Sequence, residues 1–453
     1  MQPQLLRSKK TFLSIAAWKV RLTLWGGALL VGLVATFFAE ASERANRLFT
    51  SLIALSPFLP LLVTPLGLMA VAWLTNKFFP GAQGSGIPQT LAALESRTIE
   101  GVRERVLTLR IAAGKVLLTF IGLLSGASIG REGPSVHVGA AMMHSAGSWM
   151  KFPPHYMERA LILSGGAAGV AAAFNTPLAG IVFAIEEMGR SFEERTNGVM
   201  LTAVILAGIT SLIVLGNYNY FGTTTAELGG FHDWVVIPVC GIAGGLLGGA
   251  FSQTLIIGSR KLAPLMRAKP LHVAGVCGFV VALVGLLSGN LSYGTGYAEA
   301  NAIVSTGASP EPLYPLYKFL ASAASYLSGI PGGIFAPSLA TGAGLGADVA
   351  SWFPGVSAAA ITILGMVAYF TGVVQAPITA FVIVMEMTDN HNILLPLMAT
   401  AFIANAVSKI VCPEPIYRAL ASAFLSSPHR ERESSESETA NTEKKPERAD
   451  MVK

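Results

Sequence analysis

The sequence predicts an all-α polytopic membrane protein of two inverted-topology repeats, with discontinuous helices meeting near the bilayer midplane. Three observations carry this expectation: a body almost empty of charge, apolar runs of two distinct lengths, and motifs that recur about 200 residues further on.

The 453 residues are 52% hydrophobic and only 13% charged, where soluble domains carry about 25%. Thirteen of those charges fall within 429–453, which leaves the remainder poorer still. Such a chain cannot cover its surface in water, and this excludes most soluble enzymes. The net charge of +5 reads as loop charge facing the cytoplasm, not as a nucleic-acid surface. Cys240, Cys277 and Cys412 are widely spaced, each in or beside an apolar stretch, so no disulfide framework is expected. The apolar runs are also too long for the strands of an outer-membrane barrel.

A helix needs about 20 apolar residues to cross the hydrocarbon. Long runs lie near 22–39, 57–76, 106–126, 198–215, 235–258, 272–288, 315–330, 357–374 and 391–411. Shorter ones, broken by Gly and Pro, lie at 86–94, 133–146, 160–172, 176–188, 335–347 and 377–388. Interruptions at corresponding places in two halves are the mark of broken helices around a midplane site in a transporter.

The repeat is explicit. Asn175-Thr-Pro177 through Glu186 matches Gln375-Ala-Pro377 through Glu386 at an offset of 200. Gly130 through Pro134-Ser matches Gly333 through Pro337-Ser at an offset of 203. The predicted organisation is a cytoplasmic N-terminus over 1–19, a first membrane repeat over 20–215 and an external connection over 216–234. A second repeat follows over 235–411, then a C-terminal helix over 412–426 and a disordered cytoplasmic tail over 427–453.

Orientation follows from Lys and Arg. Arg7, Lys9, Lys10, Lys19 and Arg21 precede the first span without an acid, whereas 216–234 contains neither Lys nor Arg. The balanced loop Glu40 to Arg47 has as its counterpart Arg260, Lys261, Arg267 and Lys269. The reversed bias predicts inverted halves with both termini in the cytoplasm. The first apolar run is long, lacks a small-residue cleavage site and is followed by further spans, so no cleavable signal peptide is expected.

Three Gly- and Pro-bounded segments each precede a short apolar helix: Gly84-Ser-Gly-Ile-Pro88, Gly130-Arg-Glu-Gly-Pro134-Ser-Val-His137 and Gly332-Gly-Ile-Phe-Ala-Pro337. Pro suits a first helical turn, and Gly admits close backbone approach. First-turn amides lack intrahelical partners and carry the positive end of the helix dipole. Several such ends aimed at one point make an anion site without a full charge, which would be costly in a membrane.

These segments resemble the signatures GSGIP, G[KR]EGPxxH and GGxFxP of the CLC family of chloride channels and chloride/proton exchangers, in the same order. The resemblance runs from about residue 20 to 425 and is nearest to bacterial exchangers. It implies chloride ligands at Ser85, Tyr417 and the amides of Ile334 and Phe335. It implies that Glu132 is the gate and external proton acceptor, because an ionised carboxylate can take the place of chloride and a protonated one leaves it. It implies internal proton transfer at Glu187, a position where channel members generally lack a carboxylate. It also implies a homodimer in a bacterial inner membrane, with no cofactor beyond the transported chloride and protons.

Plainer readings stand beside these. Ser85 could be an N-cap, Tyr417 an interfacial tyrosine, and Glu132 a cap or a partner of Arg131. Glu186 reads as a solvated residue at a helix end and Glu386 as structural. His137 reads as a packing or hydrogen-bonding residue, and it forms no metal pair with His144. The Gly-x-x-x-Gly spacings at Gly165/Gly169, Gly241/Gly245 and Gly244/Gly248 read as internal helix packing. A passive chloride channel is the alternative on the same fold. An enzyme is disfavoured: no Gly-x-Ser-Gly, His-Glu-x-x-His or phosphate-binding loop occurs.

Overall fold

The computed structural model describes residues 15–95, 101–150, 156–189, 194–216, 220–307, 309 and 311–425. The expectations for the first 14 residues and for the tail after 425 lie outside them. Eighteen α-helices are described. In the first half they are α1 (Ile15–Leu55), α2 (Pro60–Phe78), α3 (Ile87–Glu95), α4 (Val102–Val106), α5 (Leu109–Leu124), α6 (Glu132–Trp149), α7 (Tyr156–Phe174), α8 (Pro177–Phe183) and α9 (Glu194–Leu215). A π turn over Ala184–Gly189 extends α8. The second half holds α10 (Val236–Ala268), α11 (Pro270–Leu287), α12 (Tyr297–Thr306), α13 (Tyr314–Leu327), α14 (Phe335–Ala350), α15 (Ala358–Val374), α16 (Pro377–Thr388), α17 (Leu394–Val411) and α18 (Ile416–Leu425).

Six helical stretches among these residues are long and apolar enough to cross a bilayer, from Trp18–Leu55 to Leu394–Val411. Others fall short. The run expected at 315–330 is a helix of only 14 residues, because Gly329 adopts a positive φ of 78° and turns the chain toward Pro331. The helices α4 and α12 were not foreseen from apolar runs. Each is short and starts after a Gly with positive φ, Gly101 and Gly296.

The backbone supports two related halves. Asn175 and Gln375 both adopt the left-handed conformation, at φ 58° and 57°, which is uncommon for residues other than Gly. Each stands two residues before the proline that opens α8 or α16. The pairs α6/α7 and α14/α15 are packed through glycine in the same manner. A methyl group on Gly139 would lie 2.2 Å from the Gly165 carbonyl, and one on Gly342 would lie 2.8 Å from the Gly365 carbonyl. Small residues let helices approach this closely without a hydrophobic drive between them. The sequence-read spacings at Gly165/Gly169 and Gly241 to Gly248 likewise face neighbouring helices of the same chain. The helices α3, α6, α14 and α15 bury most of their side chains. The longer α1, α2, α10, α11 and α17 turn large apolar side chains such as Phe37, Leu62, Leu246, Val276 and Phe402 outward.

Candidate anion and proton site

The three signature segments converge through the backbone. Gly84 N–H donates to the Ile330 carbonyl and Gly332 N–H to the Gly84 carbonyl, both at 3.1 Å. Gly130 and Gly333 exchange two hydrogen bonds of 2.7 Å. A methyl group on Gly133 would lie 3.0 Å from Ser85 Oγ, and one on Gly333 would lie 3.1 Å from the Gly133 nitrogen. Glycine is required here because the starts of α3, α6 and α14 are packed backbone to backbone.

Glu132, the first residue of α6, is fully buried. Its carboxylate faces the amides of Arg131, Glu132 and, across the repeat, Ala336, and closes a full hydrogen bond with no described residue. The starts of α6 and α14 thus point at one carboxylate. Arg131 lies within electrostatic reach of Glu132; its guanidinium donates to the Ala39 carbonyl and lies over the Tyr220 ring at 5.9 Å.

Ser85 Oγ accepts from the Ile87 amide at 3.3 Å, a local turn bond one residue before Gly86, whose carbonyl opens α3, and the hydroxyl proton stays available to donate. Tyr417, in the first turn of α18, is fully buried, and its Oη has no hydrogen-bond partner among the described residues. It lies within electrostatic reach of Glu187, Tyr326 and Glu132. Burying a hydroxyl with nothing to bind is costly.

Ile334 and Phe335 are buried at the start of α14. The Phe335 side chain also has a packing role. Its ring is the hub of an aromatic cluster, with centroids 4.9 Å from Phe370, 5.9 Å from Tyr417, 6.0 Å from Phe183 and 6.2 Å from Phe174. The Phe370 and Phe183 rings meet it edge to face, Phe174 stacks on it and Tyr417 lies tilted at 50°, so the Phe335 ring packs directly against the Tyr417 phenol ring.

Glu187 is buried, on the π turn that ends α8. That turn sends neighbouring carboxylates in different directions. Glu186 is not the solvated residue the sequence suggested: it caps α16 of the other half, as Glu386 caps α8. The amides at a helix start are strong donors to a carboxylate, and this outcompetes solvent. His137 Nε2 meets the Val106 carbonyl at 2.8 Å, in keeping with a hydrogen-bonding role.

Two features of the site were not read from the sequence. Lys115, wholly buried on α5, donates to the carbonyls of Gln83 at 3.4 Å and Gly84 at 3.0 Å, clamping the Ser85 loop. Lys318, at the repeat offset of 203, donates to the carbonyls of Ser292, Tyr293 and Gly294 at 2.9–3.1 Å. It clamps Gly294-Thr295-Gly296, the counterpart of Gly84-Ser85-Gly86. The shared offset and a lysine inside an apolar run were the available signals. Tyr326 is the second: a methyl group on Gly84 would lie 3.4 Å from its Oη, placing a further hydroxyl beside the Ser85 loop.

Comparison with known proteins agrees with this geometry. The family profile described as "Voltage gated chloride channel" matches residues 66–409. The H(+)/Cl(−) exchange transporter ClcA of Yersinia pestis bv. Antiqua (strain Angola) is 34% identical over 403 residues, with 82% of this chain and 80% of the relative covered. The crystal structure of a slow cyanobacterial Cl−/H+ antiporter superposes with a TM-score of 0.78 at 26% identity, covering 91% of this chain and 99% of that one. That of a CLC-type fluoride/proton antiporter gives 0.75 at 23% identity, covering 90% and 99%, and speaks for the fold alone. From the converging helix starts to the match over three quarters of its length, this chain belongs to the voltage-gated chloride channel family, the CLC proteins.

Proposed function

We propose that this protein is a secondary active chloride/proton antiporter that exchanges the two ions through a glutamate-gated anion pathway. The observation that carries the reading is the carboxylate of Glu132 set against the amides that open both α6 and α14. Ionised, it occupies the field those helix ends create. Protonated, it loses that attraction and yields the place to chloride, so one group couples the two ions by competition. Ser85 and Tyr417 supply hydroxyl donors from the inner side, and the amides of Ile334 and Phe335 complete the anion's shell. Glu187 passes protons between the cytoplasm and Glu132.

A passive channel on the same fold is disfavoured by Glu187, a carboxylate kept in the protein interior within electrostatic reach of Tyr417. Intramembrane ionisable groups are expensive to hold without a use. The named relatives are transporters, and no enzymatic step is assigned. The pathway needs no resident cofactor; chloride and protons are its cargo. The protein works as a homodimer in a bacterial inner membrane with both termini in the cytoplasm. The outward-facing Leu178 and Ile378, repeat mates on α8 and α16, together with Ile209 and Phe402, offer an apolar surface for a second copy.

The test is reconstitution into vesicles with a chloride gradient. Protons should move against their own gradient, driven by chloride. Chloride flux without proton movement would overturn exchange in favour of a channel.

A further inference from the structure

At the end of α2 and the start of α11 a cavity of about 440 Å³ opens to the surface, lined in part by Trp73, Asn76, Lys77, Lys269 and His272, with no acidic residue in its lining. Its floor is set by the packing of the two helices. Gly275 and Gly278 of α11 lie against Met69 and Pro65 of α2 so closely that added methyl groups would meet them at 3.0 and 2.7 Å. The helices then separate at Lys77 and at the corner Lys269-Pro270. Lys77 Nζ stands 4.7 Å from the centre of the Trp73 ring, which orients the ammonium at the cavity mouth.

The cavity does not stand alone on the surface. On α2, Leu62, Leu66 and Trp73 are exposed, and on α11 Val276, Phe279 and Leu283 are exposed. These positions recur at three, four or seven residues, which aligns each set along one helix face with Lys77 or His272 at its end. Two apolar stripes therefore lead from the hydrocarbon to two lysines and a histidine at the level of an interfacial tryptophan. Lys269 closes the basic series Arg260, Lys261, Arg267 and Lys269, the series that marks this face as cytoplasmic.

We propose that this cavity is a binding site for an anionic phospholipid of the cytoplasmic leaflet. Its phosphate sits between Lys77, Lys269 and His272, and its acyl chains lie along the stripes on α2 and α11. Basic pockets between membrane helices on the cytoplasmic side suit such headgroups. A free phosphate would use the cations and leave the stripes without a role, so the lipid is the favoured source.

The test uses the full chain purified in detergent and native mass spectrometry with added phosphatidylglycerol or phosphatidylcholine. Phosphatidylglycerol should be retained on each chain and phosphatidylcholine should not. Lys77→Gln and Lys269→Gln should each weaken retention about fivefold, with unchanged thermal unfolding. Lys261→Gln, which removes the same charge from the same face outside the cavity, should leave it within about twofold. Equal retention of both lipids, an equal loss in Lys261→Gln, or displacement of phosphatidylglycerol by millimolar inorganic phosphate would each overturn the proposal. None of these readouts depends on ion exchange.

Discussion

Glu186 and Glu386 form a reciprocal pair of helix caps across the two repeats. The Glu186 carboxylate accepts from the amides of Ile378 and Thr379 at 3.1 and 2.6 Å, and the Glu386 carboxylate from those of Leu178 and Ala179 at 3.0 and 2.7 Å. Each half thus completes a helix that begins in the other. Replacing either by Ala strips two amides of their acceptor and should cost about 1–2 kcal/mol. Glu→Gln should cost less, because it keeps one acceptor oxygen. The thermal unfolding midpoint in detergent checks both.

Glu132→Gln should mimic the protonated gate. Chloride should still cross the vesicle membrane while chloride-driven proton movement vanishes. Full coupling in this variant would remove Glu132 from the gating role.

Gly130→Ala provides a second route to the same state. The new methyl group would stand 2.3 Å from Glu132 Oε2, well inside contact distance, and the flexible carboxylate is the group free to give way. Protons moved per chloride should fall with the glutamate still present. Paired chloride and pH recordings on one vesicle preparation read this ratio.

Glu187→Gln should stop protons and spare chloride, in contrast to Glu186→Gln, which should chiefly lower stability. Proton movement persisting in Glu187→Gln would assign the inner relay elsewhere.

Lys115→Met removes one of two donors from each of the Gln83 and Gly84 carbonyls, which keep Gln89 Nε2 and the Gly332 amide, so stability should fall by only about 1 kcal/mol for each lost bond. Because the Ser85 loop hangs from those carbonyls, chloride turnover should fall about tenfold or more. Lys318→Met removes three such bonds from a loop away from Glu132, and should lower stability more than it lowers turnover.

Much of this was legible in the residues, and the exceptions have physical reasons. The Gly- and Pro-bounded segments announced the helix starts because backbone chemistry leaves little choice at those positions. The offset repeat announced the pairing of α8 with α16. Side-chain contacts across halves were not legible: nothing near Glu186 in the sequence says that the amides donating to it, those of Ile378 and Thr379, lie in the other half. Phe335 was read for its amide alone, because the four rings around its side chain are distant in sequence. Lys115 and Lys318 read as exceptions in apolar runs because their partners are loop carbonyls, which composition does not display. The short α12 escaped because a ten-residue helix with a glutamate in its first turn has no long apolar run to reveal it.

The widened turn at the end of α8 separates two duties that adjacent codons would otherwise share. With one carboxylate committed to holding the halves together and its neighbour, on the function proposed above, carrying protons, the second can be lost without loosening the first. A single substitution at 187 could thus turn a coupled exchanger into an uncoupled conductor on an intact frame, an inexpensive evolutionary step between two modes of moving the same ion.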